Sequence, residues 1–274
     1  MKKKNKSLLF SGPYILWMLV FTLIPLGVVA YYALTDPATG AFTLQNIRDL
    51  GMYLPTLGIS AWYSLISALI CLLLGYPVAY FIAHRQPVTQ KILYMLVMLP
   101  MCMSFLLRTL AWVGLLESNG IINRILSLLG LGQMTLIGTP GAVILGMVYN
   151  YLPYMILPLY AIIVKIDNRL IEAAEDLGCT PTKVFSKVVL PLSMPGILSG
   201  ITMVFVPAVS TFYISQKLGG TETMLIGDVI ERHFKSAGNP NLGAALSLVL
   251  MLLVFICTGI MNRFGSDEEG GVVV

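Results

Sequence analysis

Long apolar runs separated by short polar ones dominate the pattern of this chain. Six runs approach or exceed the roughly 20 residues that a helix needs to cross a bilayer core: 9–34, 60–83, 92–116, 140–164, 194–215 and 242–262. The pattern therefore predicts an all-α integral membrane protein with six transmembrane helices. No shift in composition and no internal repeat divides it, so residues 1–274 read as a single transmembrane domain. One connecting segment breaks the monotony: residues 165–191, between the fourth and fifth runs, are charged, helix-favouring and far too polar for lipid.

Composition supports the membrane reading. Apolar residues make up 57% of the chain and charged ones 11%, against about 25% charged in an average soluble domain, and the mean hydropathy is +0.84. A basic start, Met1-Lys2-Lys3-Lys4, precedes an apolar run that extends to about Leu34. That exceeds the ~7–15 residues of a secretory signal core, so the run is expected to be an uncleaved first span. Lysines and arginines near span ends favour the cytoplasmic side. Eleven fall on the side of the N-terminus, the 165–191 segment and Arg263, and five on the other, which places both termini and that segment in the cytoplasm.

Charge and motif searches exclude other classes. The formal charge is +4, but the basic residues are scattered between apolar runs and form no face for nucleic acid. Cys71, Cys102, Cys179 and Cys257 stand singly, in no spacing suited to a metal or a disulfide framework. No phosphate-binding Gly-x4-Gly-Lys-Ser/Thr loop, HExxH or GxSxG occurs, and His84 and His233 lie far apart. No catalytic residue, metal site or bound cofactor is expected, so any energy supply must come from another subunit.

The 165–191 segment is punctuated as two short helices. Asp167 or Asn168 suits an N-cap, because a short side-chain oxygen can accept from an early backbone N–H. Gly178 suits a left-handed C-terminal cap. Thr180-Pro181 suits a second start, with proline at the first helical position. Leu190-Pro191 is expected to break that second helix, and Pro195-Gly196 to mark the next boundary. A rigid, water-exposed element of this kind is suited to docking a soluble partner. Prolines also fall inside the runs, at Pro25, Pro77, Pro100, Pro153, Pro158 and Pro207, and predict kinks.

Glu172-Ala173-Ala174, three residues, Gly178, nine residues, then Val188-Val189-Leu190-Pro191 resembles the EAA signature of ATP-binding-cassette (ABC) importer permeases, with valine for the usual isoleucine at 188. LLGYPVAYFIA (Leu73 to Ala83), LLRTLAW (Leu106 to Trp112), PAVSTFYISQKLGG (Pro207 to Gly220), LIGDVI (Leu225 to Ile230) and LGAALS (Leu242 to Ser247) are similar to spermidine/putrescine importer permeases of the first-permease type. The resemblance implies a type I importer permease fold in a bacterial inner membrane. It implies a related second permease as heterodimer partner, two cytoplasmic ATPase subunits that bind ATP and Mg, and an extracytoplasmic substrate-binding protein. It makes 165–191 the coupling loop, with Glu172, Ala173, Ala174, Gly178, Leu190 and Pro191 as its working residues.

A polyamine path calls for carboxylates and for aromatic faces that attract ammonium groups. None of the six runs contains Asp or Glu, whereas aromatics are plentiful, and Trp112, Tyr149, Phe212 and Tyr213 are the pathway candidates. Arg108 is the one formal charge inside a run. It would repel a polycation, so helix anchoring, carbonyl binding or snorkelling is expected of it, with gating as the alternative. Glu222, Asp228 and Glu231, beyond the fifth run, are candidates for attracting cations or docking the binding protein. The signature is shared with importers of iron, sulfate and amino acids, which stand as the alternative cargoes. A gradient-driven transporter is the more distant reading, because such proteins place Asp, Glu or His in the bilayer and many carry paired repeats.

Overall fold

The computed structural model describes residues 4–37, 39–220, 223–235 and 239–269, with backbone alone for 4–11, 262 and 264–269. Its helices are α1 (Lys4–Ala33), α2 (Gln45–Asp49), α3 (Leu54–Ala83), α4 (Pro87–Met98), α5 (Phe105–Leu116), α6 (Ile121–Leu128), α7 (Pro140–Ile163), α8 (Asn168–Asp176), α9 (Pro181–Val184), α10 (Leu190–Val209), α11 (Tyr213–Leu218), α12 (Ile226–Lys235) and α13 (Pro240–Glu269). Among the described residues there is no strand, only an isolated bridge between Thr35 and Phe42. Within those same residues, six stretches are long and apolar enough to cross a membrane: Gly12–Ala33, Gln45–Ala83, Phe105–Leu128, Pro140–Ile163, Pro181–Val209 and Pro240–Met261.

The chain forms two compact units. The smaller comprises residues 1–55 and 229–253, the larger 56–228 and 254–274. In the smaller, the segment after α1 is held by side-chain amides. Asn46 Nδ2 donates to the carbonyls of Ala33 (3.1 Å) and Thr35 (2.9 Å), and Asn241 donates to Thr35 as well. Tyr53 and His233 meet edge to face, with the phenol oxygen 3.1 Å from Nε2.

The larger unit holds the core, which α7 organises: Val143, Met147, Met155 and Leu159 are fully buried. Without water to drive helices together in lipid, close approach depends on small residues. Gly196 and Gly200 of α10 supply it. A Cβ at Gly200 would meet Met155 Sδ at 2.5 Å, and one at Gly196 would meet the Pro158 carbonyl at 3.1 Å. Gly75 of α3 lies as close to Met155 and Ile156. Alanine at Gly200 would push the Met155 side chain aside, and at Gly196 or Gly75 it would need the neighbour to give by a few tenths of an ångström.

Two sequence expectations need correction. The third run, 92–116, is not one helix. Leu99–Cys102 tightens into a 3₁₀ turn, Met103 is extended (φ −88°, ψ 148°), and α5 starts afresh after Ser104. At the other internal prolines (Pro25, Pro77, Pro153, Pro158 and Pro207) the helices run on. Pro100 differs because it sits at the start of the tight turn, where its fixed φ fits and its missing N–H costs nothing.

The second correction concerns Leu190-Pro191 and Pro195-Gly196, which end nothing. Helix runs from Pro181 to Val209. A π-turn at Phe185–Val189 absorbs the strain: the Leu190 N–H reaches back five residues to the Phe185 carbonyl. A wider turn spreads the carbonyls that the Pro191 ring would otherwise strike.

Candidate functional site

Loop geometry follows from local backbone chemistry. Asp167 is the N-cap of α8, its carboxylate accepting from the Arg169 N–H at 3.0 Å. At the far end Gly178 adopts φ +79°. Its N–H bonds the Glu175 carbonyl (2.8 Å) and the Cys179 N–H bonds that of Ala174 (3.1 Å). Those two bonds are the Schellman pattern, which satisfies carbonyls that a helix end leaves open. Thr180 then caps α9 through its extended backbone alone, with Pro181 at the first helical position. The first short helix, the glycine turn and the start of the second helix thus stand where the sequence places them, whereas the second helix runs on to Val209.

Of the signature residues, Glu172, Ala173, Gly178 and Pro191 are exposed, and Ala174 and Leu190 are half-buried. Exposed apolar side chains accompany them, Leu170 and Leu177 above all. The loop's inner side is anchored by residues that no signature names. Val184 and Val189 are buried. Phe185 packs edge to face on two tyrosines of α3, Tyr76 (centroids 5.5 Å apart) and Tyr80 (6.2 Å). The Ser193 hydroxyl donates to the Leu190 carbonyl at 2.9 Å. Its one hydrogen being engaged there, the buried Tyr76 hydroxyl, 2.8 Å away, donates to Ser193 Oγ. The spacing of Tyr76 and Tyr80, four apart on one helix face, is the sequence signal that could have pointed to this contact.

Beside the loop, a cavity of about 270 Å³ opens among Ala83, His84, Arg85, Gln90, Ile163, Val164, Ile166 and Asn168. Gln90 braces its wall, donating to the carbonyls of Ala83 and Arg85, both at 2.8 Å.

A second group of candidates lies within the spans. Trp112 and Tyr149 meet edge to face, centroids 5.4 Å apart. Tyr213 packs on Phe105 at 6.3 Å, and Lys217 Nζ lies 5.8 Å from the Tyr213 ring. Phe105, Arg108 and Trp112 share one face of α5 by their spacing. Phe212 does not join them in a ring contact; it precedes α11 and is 41% exposed.

Arg108 is held inside the protein rather than on its surface. It is 6% exposed, and its Nε and Nη1 have no hydrogen-bond partner among the described residues. It lies within electrostatic reach of Tyr151, whose hydroxyl donates to the Pro207 carbonyl at 3.3 Å. Asn150, a buried polar residue not singled out from the sequence, donates to the Gly146 carbonyl (2.9 Å) and keeps Oδ1 without a partner among the described residues.

Of the acids beyond the fifth run, Asp228 and Glu231 are engaged locally. Asp228 is buried and accepts from the Leu225 N–H at 2.9 Å, closing the first turn of α12 in the manner of a capping box. Ser60 Oγ accepts from the adjacent Ile226 N–H at 2.8 Å. Glu231 pairs with Lys235 at 2.6 Å, one helical turn on. Glu222, like Lys2 and Lys3, lies outside the described residues.

Residues 73–266 match the family model described as binding-protein-dependent transport system inner membrane component. The spermidine/putrescine transport system permease protein PotB of Haemophilus influenzae is 39% identical over 93% of this chain and 92% of its own. The protein of that name in Escherichia coli K12 is 36% identical over 87% and 90%. The inner membrane ABC transporter permease protein YdcU of that organism is 30% identical over 95% and 90%. Among solved structures, a bacterial ABC transporter involved in the import of the acidic polysaccharide alginate superposes with a TM-score of 0.80, at 18% identity and covering 96% of each chain. The MetNI methionine ABC transporter superposes at 0.61, with 17% identity, covering 80% of this chain and 97% of that one.

Proposed function

The chain belongs to the binding-protein-dependent transport system inner membrane components, and from that premise we propose that it forms half of the translocation path of an ATP-driven polyamine importer. The observation that carries the cargo is its likeness to the PotB permeases over more than nine-tenths of its length. The fold alone does not choose a cargo, since the structure it superposes on at 0.80 imports an acidic polysaccharide.

In this reading the excess of basic residues puts both termini and the loop at 165–191 in the cytoplasm. Two ATPase subunits hold ATP and Mg and receive the loop, with Glu172, Ala173 and Gly178 on its exposed side and Ala174 half-buried behind them. A related second permease completes the path, and an extracytoplasmic binding protein loads it. Because α9, the π-turn and α10 form one uninterrupted helix from Pro181 to Val209, a displacement of the docked loop enters the membrane without an intervening hinge. Trp112 and Tyr149 offer aromatic faces to the ammonium groups. The balancing carboxylates come from the second permease and the binding protein, because the six apolar runs of this chain contain none.

The test is ATP hydrolysis by the whole assembly in liposomes, with its binding protein and spermidine, putrescine, sulfate or amino acids added in turn. Stimulation by a polyamine alone is expected. Stimulation by sulfate or an amino acid would overturn the cargo and leave the permease role standing.

A further inference from the structure

The π-turn at Phe185–Val189 does more than accommodate Pro191. Phe185 and Ser193 are eight positions apart, and at about 100° per residue an unbroken α-helix would set them about 80° apart around its axis. A π-turn absorbs one extra residue, which reduces the difference to roughly 20° and puts both side chains on one face. That face meets α3. The Phe185 ring lies edge-on to Tyr76 and Tyr80, and Ser193 Oγ accepts from the Tyr76 hydroxyl at 2.8 Å. Tyr76 is thus gripped from both ends of the π-turn, by its ring and by its hydroxyl. The Ser193 hydroxyl extends the grip to the Leu190 carbonyl, a signature position.

We propose that Tyr76, Phe185 and Ser193 form a transmission joint, positioning residues phased by the π-turn that make α3 move with the loop-bearing end of α10. The inference rests on the importer reading above and adds a second route into the membrane. α10 receives the stroke because it is continuous with the loop. α3, distant in sequence, receives it through the clasp. None of the three residues belongs to the EAA signature.

The experiment uses the complete assembly in liposomes and follows basal hydrolysis, hydrolysis stimulated by the loaded binding protein, and spermidine uptake in the same vesicles. Phe185→Ala, and deletion of Ser186 to restore α-helical phase, keep basal hydrolysis and lower uptake per ATP about tenfold or more, a loss within the usual range of coupling energies. Tyr76→Phe, which removes one oxygen, lowers it roughly fivefold, a loss at the lower end of that range. Phe185→Tyr restores the ratio, which a simple packing defect elsewhere in the loop would not allow. An unchanged ratio in Phe185→Ala and the Ser186 deletion overturns the joint. If those two fail to assemble, Tyr76→Phe and Ser193→Ala decide, and an unchanged ratio in both overturns it.

A second readout separates this inference from the cargo. Spin labels at the exposed positions Leu73 and Thr182 report the α3–α9 distance whatever the substrate. With nucleotide that distance stays single and constant in the wild type and broadens in Phe185→Ala. A wild type that ignores polyamines but shows this difference would sink the cargo and keep the joint. Equal broadening with and without Phe185 would sink the joint alone.

Discussion

The loop between α7 and α10 and the aromatic cluster of α5, α7 and α11 are both candidate working parts, and they are built in opposite ways. In the loop, local devices close the backbone: an Asp167 cap, the paired bonds at Gly178 and a proline start at 181. In the cluster, side chains from three helices converge, and Arg108 and Asn150 keep buried polar atoms without partners among the described residues. The backbone of the first region is satisfied locally, although its inner side packs on α3. The second bears a polar desolvation cost for a position that packing enforces. A satisfied element transmits force without changing shape, whereas an unsatisfied one is poised to exchange partners.

The largest effect expected from breaking this contrast is at Gly178. Gly178→Val places a β-branched residue at φ +79°, and the strain of about 1–2 kcal/mol should weaken the loop's docked form roughly 5–30-fold. Binding-protein-stimulated hydrolysis should fall by that factor, while circular dichroism of the membrane helices is unchanged.

Next is Arg108→Met, which removes a buried charge whose Nε and Nη1 lack partners among the described residues. Burying a charge without a partner is costly, so an apolar side chain of similar length should stabilise the fold by about 1 kcal/mol. The melting temperature of the isolated subunit in detergent should therefore rise by a few degrees, even if uptake falls. A drop in melting temperature would show that the guanidinium is compensated.

Trp112→Ala removes the ring packed on Tyr149. An ammonium on an aromatic face gains about 0.5–1 kcal/mol, so the concentration of polyamine for half-maximal uptake should rise roughly 2–5-fold, with basal hydrolysis preserved. Asp167→Ala should cost about 1 kcal/mol of α8 stability, visible as faster proteolytic nicking of the loop and only a modest loss of uptake.

The smallest effect concerns pH and lies outside both regions. Burial, with Arg232 adding to it, pushes the His233 imidazole below its ordinary 6.5. A folded pKa below the unfolded one means that the unfolded state takes up the proton first. His233 therefore favours folding fully above the unfolded value, and this contribution shrinks as pH falls through that value towards the folded one. Hydrogen exchange of α12 should accelerate slightly on acidification across that range, and His233→Gln should abolish the change.

Much of the loop was legible in the sequence because caps and glycine turns are short-range devices. Asp167, Gly178 and Thr180-Pro181 each act within a few residues, and each stands in its expected role. What proline does inside a helical run was not legible. Pro191 is carried by a π-turn and Pro100 breaks a span, although both follow leucine in an apolar setting. The difference lies a few residues downstream of each proline: Met103-Ser104 provides a new helix start, whereas Leu192-Ser193 continues one. The six spans were legible as runs of length, and their internal break was not. In the cluster, the partners of Trp112 and Tyr213 depend on helix packing across distant sequence, which no local pattern records. Asn150 could have been flagged as a lone amide in an apolar run, but its unpaired oxygen could not.

The first span carries a consequence for how the protein is made. No residue in the most apolar stretch of Gly12–Ala33 is buried by the rest of the chain. Its insertion is therefore governed by its own apolar length, as the first stage of a two-stage assembly in which helices enter lipid before they pack. At ribosomal rates of about 5–20 residues per second, it waits roughly 10–50 s for Pro240–Met261 to emerge. Throughout that interval it is a tether that holds the growing chain at the membrane while the spans that pack on one another within this chain are still being synthesised.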